Sequence, residues 1–187
     1  MESYNSLAVS GLPGSGKSTL LKLLMKETGW PSYSAGDLHR AKLKHLQETG
    51  QLNPTWTIKE YWLTVSDEEN VRINEELLEL VNAGEIIADT RFAFYLKAAR
   101  KKPLFVFLTA DLDIRAQRGM RTNKDYQGKS AEEVKSVLLQ RERDEVDIGL
   151  KLFGRDYRIP SDYDVILDSG KMLIEDEARE IIRLLKR

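Results

Sequence analysis

A parallel β-sheet wrapped on both sides by helices, an α/β fold, is the architecture that this 187-residue sequence predicts. Three observations predict it. Short apolar runs alternate with longer amphipathic segments along most of the chain. The strongest run, Leu104-Phe105-Val106-Phe107-Leu108, is apolar at successive positions, as a strand covered on both faces is. A glycine-rich turn joins the first apolar run to the first amphipathic segment.

The elements follow in order. Leu7-Ala8-Val9 reads as the first strand, and Lys17 to Glu27 as a helix burying Leu20, Leu21, Leu24 and Met25. Ser32-Tyr33-Ser34 is a short second strand. A helix from Asp37 to Glu48 follows it, with Gly36 expected to break the strand first. Asn53 to Thr64 is irregular, because Pro54 and Trp56 interrupt its periodicity. Helical spacing returns from Asp67 to Asn82 through Val71, Leu77, Leu78 and Val81, and Gly84 terminates it. Ile86-Ile87-Ala88 and Leu104–Leu108 are the third and fourth strands. Asp111 to Met120 is a short helix, and Arg121–Lys129 is polar. A long charged helix runs from Ser130 to Phe153 and stops at Gly154. Val165-Ile166-Leu167 supplies the fifth strand. The last helix carries Ile174, Ala178, Ile181 and Leu185 on one stripe, with acids at its start and bases at its end.

Composition narrows the class. Hydrophobic residues make up 41% and charged residues 32%, enough for a sizeable core under a charged surface. Lys and Arg number 29 against 30 Asp and Glu, a net charge of −1 that leaves no global footprint for nucleic acid. With no cysteine, disulfides, thiolate chemistry and Cys-based zinc sites are excluded. The segment Met1–Ser6 is polar, unlike a signal peptide, and no apolar stretch approaches the ~20 residues of a membrane span. A cytoplasmic protein with no membrane partner is expected. So is a monomer or weak homodimer, organised as one domain over residues 1–187.

Gly11-Leu12-Pro13-Gly14-Ser15-Gly16-Lys17-Ser18 matches G-x-x-x-x-G-K-[ST] in full, between a strand and a helix. Glycines let the backbone curl so that its N–H groups converge on phosphate oxygens, and the helix N-terminus adds positive charge there. Lys17 is expected to reach the β- and γ-phosphates, and Ser18 to offer its hydroxyl to Mg²⁺. ATP is expected to contact Gly11, Pro13, Gly14, Ser15, Gly16, Lys17, Ser18 and Thr19. The fold expectation sharpens to a P-loop NTPase three-layer sandwich with a five-stranded parallel sheet and helical insertions.

The motif alone leaves switch, motor and kinase open. A guanine-binding switch would show Asn-Lys-x-Asp, whereas Asn123-Lys124-Asp125-Tyr126 brings its Asp one position early. Asp89-Thr90-Arg91-Phe92 lacks the glycine of a switch-type Asp-x-x-Gly. Asp89 lies at the carboxyl end of an apolar strand, where open α/β sheets place ligands, and can hold Mg²⁺ or cap a following helix. Arg91 shares that crevice with a guanidinium suited to bidentate phosphate binding. Arg40 is a second candidate anchor for an acceptor phosphate.

These residues resemble nucleoside monophosphate kinases, and most closely the short cytidylate kinases of the archaeal type, over about Leu7 to Ser169. Ser34-Ala35-Gly36-Asp37-Leu38-His39-Arg40 is similar to the family's Ser-Ala-Gly-Glu/Asp element. Asp89-Thr90-Arg91 is similar to its acid-Gly-Arg, and Arg115-Ala116-Gln117-Arg118 to its Arg-Ala-Glu-Arg. Gly128–Glu133 resembles the opening of its lid helix. Arg141-Glu142 and Leu152-Phe153-Gly154-Arg155-Asp156 resemble the rest of that helix, and Tyr163–Ser169 its last strand. The sequence departs from the pattern at Thr90, at Asn74-Glu75-Glu76, at Arg155, and at Ile148-Gly149, where Arg-Tyr is the commoner pair.

The resemblance implies transfer of the ATP γ-phosphate, with Mg²⁺ at Ser18 and Asp89, to CMP or dCMP. AMP, UMP, a non-nucleotide acceptor, or a nucleotide-binding module with weak catalysis remain alternatives. It implies that Lys17, Arg118 and Arg141 act in catalysis, with Arg121 or Arg143 as further phosphate ligands; Arg155 or Arg158 is a candidate substitute for the absent arginine. Ser34, Gly36, Asp37, Arg40 and Arg91 would bind the acceptor. Residues of about 34–83 would form the acceptor-binding region and about 118–158 the lid. Two of the four arginines 118, 121, 141 and 143 are expected at the phosphates and two in solvent, on a helix rich in both signs. His39 and His45 do not share a metal-binding face, and Trp56, Tyr61 and Trp62 can either stack on a base or pack under a loop.

Overall fold

The computed structural model describes residues 4–57, 60–61 and 64–186. Five parallel strands form one sheet in the order β2-β3-β1-β4-β5. They are β1 Leu7–Gly11, β2 Ser32–Ser34, β3 Ile87–Asp89, β4 Leu104–Thr109 and β5 Val165–Asp168. The helices are α1 Lys17–Thr28, α2 Ala35–Glu48, α3 Asp67–Ala83, α4 Leu112–Thr122, α5 Ala131–Phe153 and α6 Ile174–Leu185. Short 3₁₀ turns span Ala93–Ala98, Lys124–Tyr126 and Pro160–Asp162. Trp62 lies outside the described residues.

Side-chain alternation sorts the central strands into two cores. Leu7 and Val9 of β1, with Leu104, Val106 and Leu108 of β4, pack against Leu20, Leu21 and Leu24 of α1 and Ala178, Ile181 and Leu185 of α6. Ala8 and Phe105 point the other way, onto Leu77 and Val81 of α3 and onto Ala93 and Leu96. The result is three layers, helices–sheet–helices. Every residue of β1 is buried, which accounts for its unbroken apolar start.

A third cluster joins Ala116 of α4, Tyr126, and Val134 and Leu138 of α5. Further along the same helix, Val146 packs with Phe107 of β4 and Tyr157. Helix α5 thus leans on α4 at one end and on the sheet at the other. Among the described residues, no helix is long and apolar enough to cross a membrane.

Helix starts differ from the sequence expectation in instructive ways. Helix α2 begins at Ala35, two residues early, because Ser34 caps it by accepting from the Asp37 N–H at 2.9 Å. Gly36 therefore sits inside the first turn and does not break the strand ahead of the helix. Ser130 and Glu133 form a reciprocal capping box at the start of α5. The 3₁₀ turn Ala93–Ala98, unanticipated in the sequence, buries Ala93 and Leu96 against the sheet face that carries Ala8, Ala88 and Phe105.

Candidate active site

Parallel pairing brings the carboxyl ends of β1, β3 and β4 together. Val9 pairs with Asp89, Asp89 with Ser34, and Gly11 with Leu108. The loop after β1 and the turn after β3 consequently lie side by side. Leu12 N–H donates to the Leu108 carbonyl at 2.9 Å, and the Ser10 hydroxyl donates to the Arg91 carbonyl at 3.2 Å.

The loop Gly11–Ser18 runs into α1 with no side-chain cap. Its N-cap, Gly16, adopts φ +94°, a left-handed conformation that favours glycine. Helices α2, α3, α4 and α5 are each capped by a Ser or Asp side chain. The open start of α1 leaves its first N–H groups and its dipole facing a cavity, as an anion site requires.

That cavity has a volume of about 660 Å³. Pro13 to Thr19 line one wall, and Arg91, Arg118 and Arg141 reach it from three other elements. Gly119, Thr122, Asn123, Tyr126, Leu138 and Met172 also line it. Arg121 and Arg143 are not among its lining residues, and Arg143 is exposed and bonded to Gln140.

Three cations near the loop, Lys17, Arg91 and Arg141, share two acids. Lys17 Nζ donates to the Asp89 carboxylate. Burial, followed by repulsion from Arg91, lowers the Lys17 pKa to about 8 against the opposing pull of Asp89. Arg91 Nε donates to Glu145 Oε2 at 2.8 Å. Burial opposes the Arg91 charge, but the charge and hydrogen bond of Glu145 together with the charge of Asp89 outweigh it and raise the pKa above the ordinary arginine value. Arg141 Nε donates to the other oxygen of Glu145 at 3.0 Å.

Two arginines brace the loop. Arg118 donates from Nη1 to the Ser15 carbonyl at 3.1 Å and from Nη2 to the Ser169 carbonyl at 2.6 Å. The Ser169 hydroxyl also donates to the Ser15 carbonyl at 2.6 Å, tying the loop to the turn after β5. Arg115, only 5% exposed, donates from Nη1 to the Pro13 carbonyl at 3.3 Å and to Glu142 at 3.1 Å. The sequence assigns no role to Arg115, Glu142, Glu145, Tyr157 or Ser169, although Arg115, Glu142 and Ser169 stand inside the motifs quoted above. The i, i+3 spacings Arg115/Arg118 and Glu142/Glu145, which put each pair on one helix face, are a signal for three of them, and Tyr157 and Ser169 carry no such spacing.

The remaining predicted residues form a separate group. Ser34, Gly36, Asp37 and Arg40 sit at the start of α2, one strand beyond Asp89. Arg40 is ion-paired with Asp37, its side chain is 60% exposed, and it does not line the cavity. Thr90 is buried, and its hydroxyl accepts from the Phe92 N–H at 3.1 Å. Ile148 is exposed. A Cβ at buried Gly149 would lie 2.8 Å from the Arg155 carbonyl and 3.1 Å from the Phe92 ring. Arg158 pairs with Asp156 and Glu142, and Arg155 with Asp162, so neither reaches the cavity. His39 is buried edge-on to Tyr61, which is buried too.

A family model described as cytidylate kinase-like matches residues 7–171. The chain belongs to the cytidylate kinase-like family. A cytidylate kinase from Ignicoccus hospitalis is 31% identical to this family member over 184 residues, spanning 96% of this chain and 98% of its own. One from Methanopyrus kandleri is 26% identical over 187 residues, spanning 95% and 90%. Among solved structures, an uncharacterized protein from Eubacterium ventriosum superimposes with a TM-score of 0.69 at 16% identity, covering 97% of this chain and 98% of its own. Shikimate kinase from Bacteroides thetaiotaomicron gives 0.61 at 17% identity, with the same coverages of 97% and 98%. At those identities the likeness is one of fold. The cytidylate kinase-like chain is a phosphotransferase built on the P-loop kinase sheet.

Proposed function

We propose that the protein transfers the γ-phosphate of ATP to CMP or dCMP, giving the nucleoside diphosphate. One observation carries this reading. The uncapped start of α1 and three arginines from separate elements face a single cavity, which is the charge distribution a phosphoryl group in transit needs. The cytidine acceptor rests on the family and on the names of the relatives.

In this reading the N–H groups from Gly14 to Ser18 hold the ATP phosphates, with Gly11, Pro13 and Thr19 completing the contact. Lys17 leaves Asp89 for the β- and γ-oxygens as ATP enters. Arg118 keeps the loop curled through Ser15 while covering the donor side, and Arg141 faces the transferring group from α5. Arg91 binds the acceptor phosphate from beside β3. Ser34, Gly36, Asp37 and Arg40 receive the rest of the acceptor, with residues of about 34–83 as its binding region and about 118–158 as the lid. Closure of these two insertions over one domain would exclude water from the phosphates.

The Ser18 hydroxyl and the Asp89 carboxylate are hard oxygen donors at the mouth of the loop, a set that fits Mg²⁺ completing its shell with phosphate oxygens and water. The ion would neutralise phosphate charge there. Arg91, Arg118 and Arg141 supply the charge stabilisation that comes from the chain itself.

The test is a turnover panel with ATP-Mg²⁺ against CMP, dCMP, UMP, AMP and GMP. CMP and dCMP are expected to give the highest kcat/KM. Turnover with none of the five sinks the reading, and preference for AMP or UMP replaces its acceptor.

A further inference from the structure

Glu145 on α5 does not line the cavity, yet both of its carboxylate oxygens are committed to groups around it. Oε1 accepts from Arg141 Nε at 3.0 Å. Oε2 accepts from Arg91 Nε at 2.8 Å and from the Tyr157 hydroxyl at 3.2 Å. Tyr157 is fully buried, and burial followed by the Glu145 charge raises its pKa, so it remains a hydroxyl donor.

The two arginines are engaged in the same unusual way. Each gives Glu145 its Nε, and the terminal nitrogens of both have no hydrogen-bond partner among the described residues. Both arginines line the cavity beside the phosphate loop. A guanidinium binds phosphate best through two parallel N–H groups, and holding Nε leaves the Nη pair for that. Arg91 comes from the turn after β3 and Arg141 from α5, 50 positions apart, so one carboxylate aligns groups from two separate parts of the fold.

We propose that Glu145 is a positioning residue for phosphoryl transfer, holding Arg91 and Arg141 by their Nε atoms so that both guanidinium ends meet the phosphoryl group together. Taken alone the Arg141 bond is an i, i+4 pair on α5 with the Arg141 side chain 53% exposed, and it is the Arg91 bond that makes this carboxylate a link between two parts of the fold. Glu145 and Arg91 are only 15% and 20% exposed, and the Arg91 bond crosses from α5 to the turn after β3. Tyr157 fixes the carboxylate from behind through a second hydrogen bond on Oε2. The charge of Glu145 stays one step removed from the phosphates, with the arginines between.

This inference rests on the phosphotransferase reading but not on which acceptor is used. The full chain is compared with Glu145→Gln and Tyr157→Phe, using whichever monophosphate the wild type turns over best. Glu145→Gln is expected to lower kcat about 10–100-fold, the scale of a misplaced catalytic group, and to raise the acceptor KM. The KM for ATP should stay within about threefold. Tyr157→Phe should lower kcat a few-fold. Adding Glu145→Gln to Arg91→Ala/Arg141→Ala should cost nothing further, because the residue acts through those two.

A purely structural role would instead lower Tm, weaken both substrates together and add to the arginine losses, and that result overturns the proposal. So does a Glu145→Gln variant with wild-type kcat. A readout independent of turnover separates this failure from that of the acceptor reading. In ¹H–¹⁵N spectra of the wild type, Arg91 and Arg141 Nε–H are expected as slowly exchanging resonances that are lost in Glu145→Gln. Fast exchange of both in the wild type overturns the proposal whatever the acceptor is.

Discussion

Lys17, the first residue of α1, donates its ammonium to Asp89, the last residue of β3, across the gap between two adjacent strands. The pair stands where phosphate charge is expected, and Arg91 stands close enough to repel the lysine. The site thus holds Lys17, Arg91 and Arg141 against acids until a more highly charged anion replaces them.

Dependence of ATP affinity on pH follows. Burial and then Arg91 bring the Lys17 pKa down to about 8, below its ordinary value, so the neutral amine is favoured as pH rises. Phosphate favours the charged form and raises the pKa in the complex, so binding takes up a proton above pH 8. ATP affinity is expected to be level near pH 7 and to fall through pH 8–9.5, by at most about tenfold per unit. Calorimetric titration across that range checks it, and a flat profile would refute it.

Removing the charge altogether is more severe. Lys17→Ala is expected to cost at least ~100-fold in kcat, the scale of deleting one preorganised charge stabiliser. Asp89 would be left without its lysine. Turnover within a few-fold of wild type would show that the loop serves another purpose.

Gly11 is required by its neighbour strand. A Cβ there would lie 2.6 Å from the Leu108 carbonyl oxygen and 2.9 Å from Leu108 Cβ, neither of which can move without shifting β4. Gly11→Ala is expected to destabilise the fold by about 1–3 kcal/mol, as overpacking does. For a chain of this size that is a Tm decrease of roughly 2–4 °C per kcal/mol, measurable by thermal melting.

Glu177 is buried on α6 at the cavity wall, and its carboxyl makes no hydrogen bond or ion pair among the described residues. Burial raises its pKa, against a weaker opposing effect of Arg118. For an acid with a raised folded pKa, the cost is absent at low pH, where both states are protonated, and grows as pH rises past the unfolded value. Glu177→Gln is therefore expected to raise Tm at pH 8 by a few degrees and to leave it unchanged at pH 4. Equal shifts at both pH values would point to packing instead of charge.

Much of the site was legible because it is local. The phosphate loop is eight consecutive residues whose spacing carries its own chemistry, and Asp89 and Arg91 follow a strand plain from its apolar run. The start of α2 was misplaced by two residues, because Ser34 reads as a strand end until its hydroxyl is seen capping Asp37. Arg155 and Arg158 looked like substitutes for an absent arginine near Ile148, but Asp162, Asp156 and Glu142 hold them away from the cavity.

By itself the sequence determined the five strands, the glycine-rich entry into α1 and the family, since periodicity and contiguous motifs are properties of neighbouring residues. Only the tertiary structure decided which charges meet. That Glu145 holds Arg91, that Arg115 and Arg118 brace the loop from below, and that Arg40 stays with Asp37 depend on strand order and on how α5 leans across the sheet. Ion-pair energies change steeply over a few ångströms, and spacing along a chain does not specify distances that short between separate elements.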